Sequence, residues 1–192
     1  MEPQPKTILN LVGEKVALGS LRRDLVPIYQ RWMNDLAAAR NLGTLAPVTL
    51  EAEEAWYEKA AVSRETASFT IYERSSLRPI GTTQLMGLHP SNRRADFGIT
   101  IGEADCRHKG YGTETTRLML AYAFGALGLH NVGLIVASFN PGAIRAYEKA
   151  GFREFGRRRE CWLMGGEPHD EVHMQCLSTE FEGRSLEETY AQ

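Results

Sequence analysis

The amino-acid sequence predicts a mixed α/β fold, and three observations predict it. Two strand-like runs, residues 68–73 and 80–88, face each other across a Ser75-Ser76 turn. A strand–helix–strand–helix unit follows over residues 97–150. Two more strand-like runs, 155–163 and 171–177, then close the chain as a hairpin about Gly165-Gly166 and Pro168. Strands and helices interleave irregularly, which excludes a strict parallel repeat.

Each element has a local reason. Residues 16–21 read as a first strand. Leu25, Ile28, Tyr29, Trp32 and Met33 recur at helical spacing within residues 24–34. Thr49 is the N-cap of a second helix to residue 61, with Glu51 and Glu53 in its first turns. After the 68–88 hairpin and a polar loop, Phe97, Ile99 and Ile101 alternate with Asp96, Gly98 and Thr100, the signature of a half-buried strand. A glycine-bearing loop leads into a long helix over about residues 113–127, followed by a compact apolar strand at 132–137. Residues 141–150 form a helix with proline in its first turn, and Gly151 stands where a left-handed C-cap is needed. No repeat, low-complexity segment or linker divides the chain. The expectation is one domain over residues 1–192, with a core at about 16–177 and a polar tail at 178–192 that frays or forms a peripheral helix.

Composition excludes several classes. The 192 residues carry 22 basic and 24 acidic side chains, a formal charge of −2, and 43% are hydrophobic. That is too apolar and too balanced for disorder, and it lacks the positive excess of a nucleic-acid binder. No apolar run approaches the roughly 20 residues that cross a bilayer. Residues 1–6 lack the pattern of a secretory signal. A cytoplasmic protein with no nucleic-acid or membrane partner is expected, and assembly into a homo-oligomer is left open. Cys106, Cys161 and Cys176 are an odd set without metal-ligand spacing, as in a reducing compartment. Cys161 and Cys176 either face each other across the closing hairpin or are reduced packing residues. His169-Asp170-Glu171-Val172-His173 imitates a zinc-binding pattern, but aspartate replaces its glutamate and the segment reads as a strand. No metal is expected.

The segment Arg107-His108-Lys109-Gly110-Tyr111-Gly112-Thr113 lies between a strand and a long helix. A helix start leaves N–H groups unpaired and carries partial positive charge. Two glycines let backbone approach a ligand, and Arg107 and Lys109 add charge, which suits a pyrophosphate. Neither the Walker A pattern nor the dinucleotide fingerprint fits: Lys109 precedes its glycine, and Thr115 replaces a third glycine. Taken alone, the loop reads equally as a relaxed turn with exposed basic residues.

A second segment stands one helix and one strand further on, from Asn140-Pro141-Gly142-Ala143 through Tyr147 to Gly151-Phe152. Arg107-x-x-Gly110-x-Gly112 resembles the acyl-CoA loop of the GNAT superfamily of N-acetyltransferases. Residues 140–152 resemble its N-x-x-A-x-x-x-Y-x-x-x-G-F segment. The runs at 92–97 and 121–130 resemble the spermidine and ribosomal-protein alanine acetyltransferases within it. The resemblance implies a central, mostly antiparallel sheet of about seven strands with flanking helices, its fourth and fifth strands splayed to admit acetyl-CoA. By the same resemblance, the backbone of Thr100 and Ile101 binds the pantetheine chain. Arg107, His108, Lys109, Gly110, Tyr111, Gly112 and Thr113 bind the pyrophosphate. Asn140 binds the pantetheine arm or fixes its loop, a role compatible with an Asx-turn before Pro141.

Acetyl transfer to an amine poses two proton problems: an ammonium is not nucleophilic, and a departing thiolate must be stabilised. The resemblance makes Tyr147 the donor to the thiolate; the residue also reads as a packing aromatic. Asp96 is the candidate base, and reads equally as a solvent-facing carboxylate ending its strand. Transfer is expected to be direct, within a ternary complex, since no cysteine carries an activating signature.

The acceptor is read less sharply. Asp35, Glu51, Glu53, Glu54 and Glu58 suit a cationic amine, although the run at 51–58 also reads as a solvated helix face. Trp32, Trp56 and Tyr57 line a pocket or fill the helix–sheet core. Three readings stand: acetylation of a small-molecule primary amine such as a polyamine or an amine-bearing antibiotic, acetylation of protein N-termini, and a non-catalytic acyl-CoA-binding module. Retention of Tyr147 disfavours the third.

Overall fold

A computed structural model describes residues 7–41, 43, 46–183 and 185–190. The N-terminal segment 1–6, read above for a secretory signal, lies outside them. Eight strands form one sheet: β1 (Leu9–Val12), β2 (Val16–Ser20), β3 (Thr66–Glu73), β4 (Pro79–His89), β5 (Arg94–Ile101), β6 (Asn131–Ala137), β7 (Arg153–Met164) and β8 (Glu167–Leu177). The order is β1-β2-β3-β4-β5-β6-β8-β7. Every pairing is antiparallel except β5 with β6. Five helices cover it: α1 (Val26–Met33), α2 (Leu36–Ala39), α3 (Leu50–Val62), α4 (Tyr111–Gly125) and α5 (Pro141–Ala150).

Alternation along β3 assigns the layers. Phe69 and Ile71 point to the larger core with Leu118, Met119 and Ala123 of α4. Tyr72, from the opposite face, joins Val26, Tyr29 and Trp32 of α1 in a second cluster. Tyr29 is 2% exposed, and its hydroxyl shares a 2.5 Å hydrogen bond with Thr70 on that same face. The sheet is therefore sandwiched, α1 and α3 against one face and α4 and α5 against the other.

The two predicted caps form as read: Thr49 Oγ1 accepts from the Ala52 N–H at 3.2 Å, and Gly151 takes φ +115°. Asn140 is also an N-cap, its Oδ1 accepting from the Ala143 N–H at 3.2 Å. The 153–177 hairpin closes on Gly165 and Gly166, both at positive φ.

At four points the structure adds to the reading or selects among its alternatives. The sheet has eight strands where about seven were expected; the added β1 is a four-residue edge strand too short to show a period. The four-residue α2 was missed for the same reason; Asp35 caps it by accepting from the Ala37 N–H at 3.0 Å. The tail packs back onto the body: residues Leu186–Thr189 make a short 3-10 turn, Thr189 is 2% exposed, and Tyr190 bridges to Leu11. Cys161 and Cys176 do not meet. The hairpin pairs Arg153 with Gln175 and Trp162 with His169, which puts the two thiols at opposite ends of it. Cys176 is buried and Cys161 exposed, and all three cysteines are free. Among the described residues no helix is long and apolar enough to cross a membrane.

Candidate active site

Strands β5 and β6, the fourth and fifth of the seven read from sequence, pair only over Arg94↔Asn131, Ala95↔Val132 and Asp96↔Gly133. Beyond Asp96 they part. Phe97 to Ile101 remain paired with β4, and Leu134 to Ala137 with β8. One edge of each strand is left without a ladder partner, so its backbone groups are free to meet a ligand. Phe97 stands where the strands part, its ring edge-on to Tyr147 at 6.2 Å and close to Phe152 at 6.1 Å.

One side of the gap opens into a cleft of ≈ 570 Å³. The N-termini of α4 and α5 both border it, through Gly110, Gly112 and Thr113 on one side and Asn140, Gly142 and Ala143 on the other. Both helix starts turn partial positive charge to one space; α4 adds unpaired N–H groups, whereas at α5 Pro141 has none and Asn140 caps that of Ala143, which leaves Gly142. The entry to α4 is wound tightly, with His108 at φ +62° and Gly110 at φ +85°. A Cβ at Gly110 would meet only Lys15 Nζ at 3.5 Å, so this glycine is required by its backbone conformation rather than by space. Arg40, Arg107, His108, Arg145 and Lys149 line the cleft, and among the described residues no carboxylate does. Such a lining fits a phosphorylated, anionic ligand.

The loop's charges are arranged differently from the expectation. Arg107 Nη2 donates to Asp35 Oδ2 at 2.6 Å and to the Gly102 carbonyl at 3.2 Å, and Nε donates to the Ile101 carbonyl at 3.3 Å. Its guanidinium braces the loop against α2 and the end of β5. Lys109 and Tyr111 do not line the cleft. The Lys109 carbonyl accepts from Lys15 Nζ at 3.3 Å, and the Tyr111 hydroxyl donates to Glu73 Oε1 at 2.7 Å, which pushes its pKa up to about 12. Glu114 accepts from the Lys15 N–H at 2.9 Å, so the first turn of α4 also grips the β1–β2 turn. The sequence reading missed Arg145 and Lys149, although their four-residue spacing puts both on one face of α5.

Thr100, Ile101, Asn140 and Tyr147 line this same cleft. Tyr147 is half-buried, and among the described residues its hydroxyl has no hydrogen-bond partner. Desolvation alone pushes its phenol up to about 12, so it is fully protonated near neutral pH.

On the other side lies a second pocket, also ≈ 570 Å³. Asn41, Ile99 and Thr100 line both spaces, so the two meet along β5. The second pocket has an opposite character: Asp96 and Glu53 line it and, among the described residues, no lysine, arginine or histidine does. Tyr29, Trp32, Trp56 and Trp162 supply aromatic walls. Trp32 is fixed by Nε1 donating to Glu103 Oε1 at 2.9 Å, a carboxylate that Arg31 and Arg78 also hold. Gly102 permits this, since a Cβ there would lie 2.1 Å from the Trp32 ring.

The acidic residues read along the N-terminal third separate here. Asp35 pairs with Arg107, Glu58 with Arg23, and Glu51 and Glu54 are exposed. Glu53 alone is buried, at 6% exposure, which corrects its reading as part of a solvated helix face. Nothing in the local pattern separates it from its neighbours; only packing of α3 on the sheet does. Tyr57 instead stacks under the Arg23 guanidinium, at 5.2 Å.

A family model described as an acetyltransferase (GNAT) domain matches residues 17–153. The spermidine N(1)-acetyltransferase of Vibrio cholerae is 31% identical over 115 residues, 60% of this chain and 66% of the relative. The human alpha/beta-tubulin-N-acetyltransferase 9 is 29% identical over 160 residues, 75% of each chain. The matches cover 56–66% of the length of three curated bacterial relatives. Among solved structures, the spermidine N-acetyltransferase from Vibrio cholerae in complex with CoA and spermine has a TM-score of 0.81 at 24% identity. That likeness covers 88% of this chain and 98% of the other, and it is one of fold.

Proposed function

The chain belongs to the GNAT acetyltransferase family, and from that premise we propose that it transfers an acetyl group from acetyl-CoA to a primary amine of a small molecule. The observation that carries this reading is the pair of pockets joined along β5: a basic one bordered by two helix N-termini, and an acidic, aromatic one. An anionic cosubstrate and a cationic acceptor thereby have separate places with a shared boundary, which suits direct transfer in a ternary complex.

Acetyl-CoA supplies an acetyl thioester. The amides of Gly110, Gly112 and Thr113 hold its pyrophosphate, with Lys149 and Arg145 adding charge. Arg107 positions the loop through Asp35 rather than meeting the phosphates as a free cation. The open edge of Thr100 and Ile101 pairs with the pantetheine amides as an added strand would. Asn140 caps α5 and shapes the cleft wall.

The acceptor arrives as an ammonium with a pKa of about 10.4 and must lose a proton before its nitrogen attacks. Asp96, on the acceptor side where the strands part, takes that proton directly or through water. The carbon–nitrogen bond forms as the carbon–sulfur bond breaks. The Tyr147 hydroxyl donates a hydrogen bond to the departing sulfur. A thiol titrates near 8.5, roughly three units below this phenol. Tyr147 therefore acts as a hydrogen-bond donor, and the proton that the thiolate finally keeps comes from the acceptor nitrogen through solvent.

The test is CoA release from acetyl-CoA across a panel of diamines, polyamines, aminoglycosides and peptides with free N-termini. Turnover confined to peptides would favour the second reading, a protein acetyltransferase, which the likeness to the tubulin enzyme supports. CoA binding without turnover on any amine would leave a binding module.

A further inference from the structure

We propose that Glu53 is the recognition residue of the acceptor pocket, holding an ammonium group of a substrate that carries a second cationic nitrogen besides the one acetylated. The proposal rests on the acetyl-transfer reading above.

Glu53 sits on α3 one turn before Trp56, and both face the pocket that Tyr29 and Trp32 also line. The residue is 94% removed from solvent, yet among the described residues no hydrogen bond or ion pair reaches its carboxylate. Among the described residues no lysine, arginine or histidine lines the space it faces. Ser68 Oγ, in the same pocket, is likewise buried without a hydrogen-bond partner. Burying a carboxylate unpaired is strongly unfavourable, and desolvation accordingly raises the pKa of Glu53. A ligand that brings a cation offsets that penalty.

Asp35, Glu51, Glu54 and Glu58 have no such demand, being exposed or already paired. The reacting nitrogen must be neutral when it attacks, so the charge that Glu53 holds belongs to a different nitrogen. Trp32 and Trp56 add the aromatic faces that attract an alkylammonium. A monoamine, or a peptide terminus followed by an uncharged side chain, would leave Glu53 uncompensated.

The experiment is calorimetric titration of 1,4-diaminobutane and of 1-aminobutane into the CoA-bound protein, wild type and Glu53→Gln. The expected result is that the wild type prefers the diamine by about tenfold or more and that the substitution abolishes this preference. Glu54→Gln, one position on and exposed, retains it. The Glu53→Gln melting temperature is expected at or above that of the wild type, since a buried charge is removed. Equal affinity of the wild type for the two amines, which needs no variant, overturns the proposal, as does a preference that survives Glu53→Gln. Acetyl transfer to the diamine is measured separately. Diamine binding that depends on Glu53 without turnover refutes the transferase reading and leaves the cation subsite standing.

Discussion

The Arg107 guanidinium donates to Asp35 Oδ2 at 2.6 Å, joining the loop before α4 to the cap of α2 across 72 positions of chain. The arginine holds the Asp35 carboxyl below the usual carboxylate range. Two residues that local sequence placed in separate roles, one as a phosphate ligand and one as an acceptor ligand, are thus partners in a brace.

Arg107→Ala and Asp35→Asn are each expected to weaken CoA binding about tenfold, and the double variant little more than either alone. Residues sharing one interaction are non-additive by about 0.5–3 kcal/mol in such cycles. Isothermal titration of CoA into the four proteins measures it. The sign of the pH effect follows from the depressed pKa of Asp35. Its contribution is complete above the unfolded value near 3.9 and is lost as pH falls through the lower folded value. Acid unfolding of the Asp35→Asn protein should therefore be less steep below about pH 4.

Tyr147→Phe is expected to lower kcat by about 10²-fold, the lower range for loss of one hydrogen-bond donor to developing negative charge, with CoA affinity unchanged. The ring contacts with Phe97 and Phe152 survive the substitution. Because burial pushes this phenol up to about 12, its active, protonated form persists across the working range. Any alkaline loss of rate below about pH 10 should therefore remain in the variant. Steady-state kinetics with acetyl-CoA and a diamine over pH 6–10, taken as about neutral to the free amine's own range, makes the comparison.

Asp96→Asn is expected to reduce kcat/KM by about 10²-fold near neutral pH and to recover part of that loss as pH rises toward about 10, where the amine deprotonates unaided. The side chain lines the acceptor pocket and not the CoA cleft, so CoA affinity should not move. A flat ratio of wild-type to variant rates across pH would refute its role as base.

Two glycine substitutions should fail for different reasons. Gly110→Ala meets no close neighbour but must hold φ +85°, at about 1–2 kcal/mol, and Gly110→Asn should recover part of that loss. Gly102→Ala has its Cβ 2.1 Å from Trp32, and overpacking typically costs about 1–3 kcal/mol. Urea denaturation reads both. Gly102→Ala alone should also weaken diamine binding, because Trp32 walls the acceptor pocket.

The legible part of this protein was the part made by near neighbours in the chain. Thr49 and Gly151 act within a few residues, so their types and positions announce the helix ends. The alternation of Phe97, Ile99 and Ile101 marks a strand wherever it is placed. Gly110 and Gly112 at a strand-to-helix turn, followed at the right distance by Asn140 and Tyr147, were enough to name a family and to place most of one cleft. Strand β1 and helix α2 escaped because four residues cannot display a period.

Side-chain partnership and burial were settled by residues far apart in the chain. Lys109 and Tyr111 belong to the loop motif, yet the former's carbonyl meets Lys15 and the latter's hydroxyl meets Glu73. Arg107 carries the expected charge but directs it at Asp35. Glu53 has the same local pattern as Glu51 and Glu54, and only the docking of α3 against the sheet turns it inward. Backbone conformation follows from short-range sterics and hydrogen bonds, whereas the electrostatics of a pocket depend on which distant side chains exclude water from it. The family was therefore readable in the order of residues, and the division into a basic cleft and an acidic pocket only in their packing.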